Sequence, residues 1–137
     1  MRTGYVLGNG GMLAALLPLF KLGLGGRLGS GKQFMPWIAH DDIVDLYIFT
    51  SLNPNINGPV NASAPNVITN AEFTRAVAKA VHRPAWFIVP KFILKLLYGE
   101  LGELMTYSQN TSSQKIQSLG FKFKFENIYD YLTSNNL

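Results

Sequence analysis

Short apolar runs closed by glycine or proline alternate along this chain with segments whose apolar residues recur at helical spacing, and that alternation predicts a mixed α/β fold. Gly4-Tyr5-Val6-Leu7 reads as a strand ended by Gly8, Gly10 and Gly11. Leu13, Leu16, Leu17 and Phe20 then share a helical face across Met12 to Leu22, with Pro18 bending the helix or delaying its start, before Gly23, Gly25 and Gly26 stop it. Arg27-Leu28, the turn Gly29-Ser30-Gly31 and the run Lys32 to Ile38 read as a hairpin. Its second arm, Phe34-Met35-Pro36-Trp37-Ile38, contains a proline and so belongs at an edge or in an irregular strand.

Asp41 and Asp42 offer cap-type carboxylates to a helix over Ile43 to Leu52, and Asn53 to Pro59 is a turn-rich loop. Val60-Asn61-Ala62 is a strand candidate. Thr69 or Asn70 caps a helix through Val81, with Glu72 completing a capping box, Phe73, Val77 and Ala80 inward, and Arg75 and Lys79 outward. Trp86 to Val89 predicts a strand and Pro90 the first residue of a helix reaching about Tyr98. Ser112 to Leu119 is a short helix ended by Gly120, and Asn127 to Leu132 is the last helix. Between them, Phe121-Lys122-Phe123-Lys124-Phe125 alternates strictly, as a strand with one wet face does.

Composition removes several functions. The 137 residues are 47% hydrophobic, enough for one packed core. The net charge of +4 comes from twelve Lys/Arg placed singly from Arg2 to Lys124, without the basic stripe that a phosphate backbone requires, so no nucleic-acid partner is expected. The absence of cysteine excludes disulfides, thiolate catalysis and thiolate-bound zinc, and fits the cytoplasm. Pro18 and Lys21 break the run from Met12 well short of the roughly 20 apolar residues of a membrane helix, so no membrane partner is expected.

Local motifs resolve mostly into structural roles. Gly26-Arg27-Leu28-Gly29-Ser30-Gly31-Lys32-Gln33 lacks the Ser/Thr that would hold Mg²⁺ after the lysine of a phosphate loop, and it leads into an aromatic strand instead of a helix. Gly8-Asn9-Gly10-Gly11 follows a strand and precedes a helix, yet Leu13 stands at the third glycine of a dinucleotide fingerprint and no acidic strand end follows at the ribose spacing. His40, Asp41, Asp42 and Asp45 are better read as helix-start residues than as a metal site, and His82 as a helix-end residue. Apolar residues on nearly all sides of Lys91 to Leu97 indicate core packing.

Three stretches in order, Arg2 to Gly8 with Gly10-Gly11, Gly25 to Gln33 through Pro36-Trp37-Ile38 to Asp41-Asp42, and Gly58 to Ala62 through Ala64-Pro65-Asn66 to Thr74, resemble the epimerase family, a nucleotide-sugar-epimerase-like group of extended short-chain dehydrogenase/reductases. A fourth, from Arg83-Pro84 and Val89-Pro90 through Gly99-Glu100 to Gly120-Phe121, resembles the C-terminal domain of unknown function that ends these proteins. The resemblance spans the whole chain. It implies the C-terminal part of a Rossmann-type NAD(P)-binding fold with a small, mostly helical substrate-side domain: residues 1–88 hold the last Rossmann strands and the substrate-side segment, and residues 89–137 the C-terminal domain.

In that family the glycine-rich cofactor loop and the Tyr-x-x-x-Lys pair lie in the N-terminal Rossmann half, which would precede Met1, and none of the six tyrosines here has lysine four residues on. The resemblance therefore implies a substrate-side fragment of an NAD(P)-dependent epimerase or oxidoreductase, with no catalytic or metal residue and no cofactor bound by this chain alone. It places Thr3 and Gly4 at the nicotinamide, and Tyr5, Lys32, Met35 and Trp37 at a small-molecule substrate. Tyr5 and Met35 stand where sugar-nucleotide epimerases carry an asparagine and an arginine on the diphosphate, which weakens the case for such a substrate. The family's Ile-His-x-Asp-Asp segment reads Ile38-Ala39-His40-Asp41-Asp42, moving the imidazole to the opposite strand face. The expected partner is a Rossmann half or a second copy. The alternative is a non-catalytic interaction module docking on a partner or on itself, which exposed apolar surface beside Val6, Leu7 and Val60 would favour.

Overall fold

The computed structural model describes residues 1–90, 92, 95–96, 99–100 and 107–135. It is a mixed α/β structure built on four short ladders. β1 (Arg2–Thr3) pairs in parallel with β6 (Asn61–Ala62), and β2 (Tyr5–Leu7) in parallel with β5 (Trp37–Ala39). β3 (Gly26–Leu28) pairs in parallel with β8 (Phe87–Val89), whereas β4 (Phe34–Met35) runs antiparallel to β7 (Ile68–Thr69). Helices α1 (Gly11–Lys21), α2 (His40–Leu52), α3 (Asn70–Ala80), α4 (Gln114–Ser118) and α5 (Ile128–Ser134) surround these ladders.

The expected hairpin does not form. β3 turns at Gly29 and Gly31, both at positive φ, but never meets the run that follows. Side chains satisfy the groups a hairpin partner would have used: the Leu28 N–H donates to Asn70 Oδ1 at 2.7 Å, and Gln33 Nε2 donates to the Leu28 carbonyl at 3.0 Å. Pro36 then divides the second arm. Lacking an N–H, it cannot continue a ladder, and its carbonyl instead accepts from the Tyr5 N–H at 2.7 Å.

The β2–β5 ladder separates two cores, as the period of two along a strand requires. Trp37 faces a cluster with Leu7, Leu13, Phe20, Phe73 and Leu132, built on α1, α3 and α5. Its neighbour Ile38 faces the other side, where Ile43 and Leu46 of α2 meet Val60, Ile116, Phe121 and Phe123. α1 starts at Gly11 and continues through Pro18, so the proline neither delays nor ends it. α3 follows its sequence signals closely: Thr69 Oγ1 accepts from the Glu72 N–H at 3.3 Å, and Phe73 and Val77 are buried while Arg75 and Lys79 face solvent. His82 lies just past its end with φ 54°, a left-handed position.

Two readings at α2 and at the second core change together. Asp42 does not cap α2, whose N-cap is Ala39 without a side-chain hydrogen bond. It is completely buried within the first turn, where its carboxylate oxygens accept the backbone N–H groups of Lys124 at 2.7 Å and Phe125 at 3.1 Å. Phe121 to Phe125 alternates in burial as its pattern predicts, but it forms no ladder: its backbone donors bind a carboxylate in place of a strand. The helix expected from Pro90 to about Tyr98 lies outside the described residues. Among the described residues no helix is long and apolar enough to cross a membrane.

Candidate substrate-side site

Gly4 joins β1 to β2 and lets the chain press against Pro36. A Cβ there would lie 2.5 Å from the Pro36 carbonyl oxygen, closer than any side chain can sit. Thr3, exposed and paired with Ala62, and Gly4 line a cleft of about 260 Å³ with Arg2, Asn61 and the loop Gln109–Ser112. That loop is anchored to the first part of the chain. Asn61 Nδ2 donates to the Ser112 carbonyl at 3.0 Å, Thr111 Oγ1 donates to Ser63 Oγ at 3.0 Å, and the Phe34 N–H donates to Ser108 Oγ at 3.1 Å. Nothing in the sequence signals these contacts, because each joins residues more than forty positions apart.

Tyr5 and Trp37 are register partners in the β2–β5 ladder. Trp37 is buried, with Nε1 donating to the Asn66 carbonyl at 3.0 Å and its ring tilted against Tyr131. Tyr5 is half-buried, and burial raises its hydroxyl pKa above the ordinary phenol range. A tyrosine that acts as a base must shift the other way; this one stays protonated and can only donate or accept a hydrogen bond. Met35 is buried, its Sδ accepting from Asn70 Nδ2 at 3.3 Å, while Lys32 is exposed at the surface. The structure thus brings Tyr5 and Trp37 together on one ladder, sets Met35 in the same core, and leaves Lys32 outside it.

The carboxyl ends of parallel strands are where open α/β folds hold ligands. Here Gly8 follows β2 and His40 follows β5, and both line a cleft of about 680 Å³ with Asn9, Asp41 and Tyr131. His40 Nδ1 lies 3.6 Å from Asp41 Oδ1 and both side chains are well exposed. Tyr131 is engaged structurally, its hydroxyl donating to the Leu7 carbonyl at 2.8 Å, and burial is the main cause of its raised pKa. Among the described residues no group of acidic, histidine or cysteine side chains is arranged to hold a metal ion.

Residues 89–134 match the profile of the domain of unknown function DUF1731. An epimerase family protein of Mycobacterium bovis is 41% identical over 133 residues, which span 96% of this chain and 44% of that protein. The chain corresponds to the C-terminal portion of the epimerase family proteins. Human epimerase family protein SDR39U1, solved with NADPH, superposes on it with a TM-score of 0.92 at 31% identity, over 99% of this chain and 48% of the human one. The UDP-N-acetylglucosamine 4-epimerase of Bacillus cereus, at 14% identity and a TM-score of 0.71, shares the fold. The chain spans about half the length of these relatives. Its fold is therefore the α/β C-terminal half of a Rossmann-type NAD(P)-binding architecture.

Proposed function

We propose that this chain forms the substrate-side wall of an NAD(P)-dependent epimerase or oxidoreductase and performs no catalysis by itself. The observation that carries the reading is the superposition on SDR39U1 with NADPH, near-complete for this chain but covering under half of that protein. Hydride transfer also needs a group that moves the hydroxyl proton, and no tyrosine here is followed by lysine four residues later. In this reading Thr3 and Gly4 approach the nicotinamide of a complete protein. Tyr5 donates to substrate, Lys32 supplies charge at the rim, and Met35 and Trp37 form the apolar wall behind it. Titrating the 137-residue chain with NADPH is expected to give no saturable change in cofactor fluorescence; saturable micromolar binding would refute the reading.

The second reading, a non-catalytic module that docks on a partner or on itself, draws support from an unexpected surface. The edge expected beside Val6, Leu7 and Val60 is not bare: Leu7 and Val60 are buried and Val6 is half-buried. Those residues close onto the two cores that β2 and β6 support. Apolar surface lies instead along the outer side of α2, where Val44, Tyr47, Ile48 and Leu52 recur at helical spacing and are exposed. On this reading sedimentation velocity detects self-association at tens of micromolar, and Ile48→Asp abolishes it. A monomer at all concentrations, binding no Rossmann half in trans, would remove this reading.

A further inference from the structure

Behind Met35 lies a third cavity, more apolar than the two clefts described above. It measures about 150 Å³ and is lined by Met12, Leu16, Phe20, Leu28, Met35 and Phe73, with Val89 of β8 on one side. Asn70 and Thr74 are the only polar side chains among its described lining residues, and no charged side chain is among them. The Asn70 amide is already engaged, its oxygen by the Leu28 N–H and its nitrogen by the Met35 sulfur.

We propose that this cavity receives the uncharged, apolar end of the substrate, a hydrocarbon or aromatic group of about six to eight non-hydrogen atoms. The size follows from volume, since an apolar cavity of about 150 Å³ stays dry and accommodates benzene. The chemistry follows from the lining. A phosphate or sugar hydroxyl placed here would lose its water and find no cation among the described lining residues and, besides the engaged Asn70, only the Thr74 hydroxyl as a polar side chain, a cost of several kcal/mol for an unmatched polar group and far more for a charge. Leu19 and Leu24, exposed at the rim, extend the apolar path outward, and Ala15 on α1 leaves that mouth open. Most ligand pockets pair such an apolar body with a few placed polar groups. Tyr5 and Lys32, which lie outside this cavity's lining, are the candidates for that role in the substrate-side reading. The proposal deepens the substrate-side reading and rests on it.

The test uses three of the four methionines. With methionine methyl groups labelled in ¹³C, Met12 and Met35 report the cavity, and exposed Met1 serves as an internal reference. Benzene is expected to shift the Met12 and Met35 signals saturably and leave Met1 unmoved, whereas UDP-glucose moves neither. Ala15→Trp, which fills the mouth from the helix surface, should weaken benzene binding at least tenfold; should its unfolding midpoint fall, Ala15→Leu repeats the obstruction with a smaller side chain. Three results overturn the proposal: no benzene response, a benzene response that both Ala15 variants leave unchanged, or saturable shifts of both methyls by UDP-glucose. None of these depends on NADPH, so the cavity can fail while the substrate-side reading stands, and NADPH binding by the chain can remove that reading while the cavity is still seen to fill.

Discussion

Replacing Asp42 by alanine should destabilise the chain by about 3 kcal/mol, because it strands the Lys124 and Phe125 N–H groups against a buried helix start, each unmet donor costing about 1–3 kcal/mol. Asp42→Asn keeps one acceptor oxygen and should cost about half as much. Urea unfolding monitored by tryptophan fluorescence reads both values from the shift in midpoint. The pH dependence separates the charge from the hydrogen bonds. Burial raises the Asp42 pKa, more than the two N–H donors and Lys124 lower it, so the folded chain binds this proton more tightly than the unfolded chain does. Stability relative to Asp42→Asn is then greatest at acidic pH and declines as pH rises from the ordinary carboxylate range through the raised folded value. An advantage that instead grows with rising pH would show that the hydrogen bonds outweigh burial.

Gly26→Ala should be at least as damaging, by about 3 kcal/mol or more, for a steric reason. A Cβ at Gly26 would stand 2.2 Å from the Phe87 carbonyl oxygen and 2.7 Å from its carbon, and both are backbone atoms that cannot swing away. Relief requires β8 to move off β3, which would also open the apolar cavity at Leu28 and Val89. Gly10→Ala is the matched control. Gly10 has extended dihedrals with nothing within 4 Å of a built Cβ, and alanine there should cost under about 1 kcal/mol, mostly as a poorer helix cap. Equal midpoints for the two variants would mean that β3 and β8 are not held together in solution.

What sequence could show here was local. The Thr69 cap on the Glu72 N–H, the faces of α3 and the glycines that end strands are settled within a few residues, and the structure has them where the pattern puts them. Pairing was less legible. Gly29-Ser30-Gly31 is a genuine turn, but a turn signal does not name a partner, and β3 pairs with a strand beginning at Phe87. The alternation of Phe121 to Phe125 reported its two faces correctly and said nothing of what would bind its backbone. Asp42 reads as a cap for the same reason: its position at a helix start is visible in sequence, whereas its partners lie 82 and 83 residues away. At the candidate site, Met35 reads as a missing cation, but Asn70, whose amide binds both Met35 and Leu28, reads only as a second capping option.

Among the described residues every ladder joins segments separated by a long stretch of chain, and none is a hairpin. During synthesis β1 must therefore wait for Asn61, and β3 for Phe87, before its backbone finds a partner. Both cores wait longer still, for Ile116, Phe121 and Ile128. A nascent chain leaving the ribosome at about 5–20 residues per second would carry its open strand edges for several seconds. Those unpaired edges are the surface through which the nascent chain would aggregate or meet a chaperone during that interval.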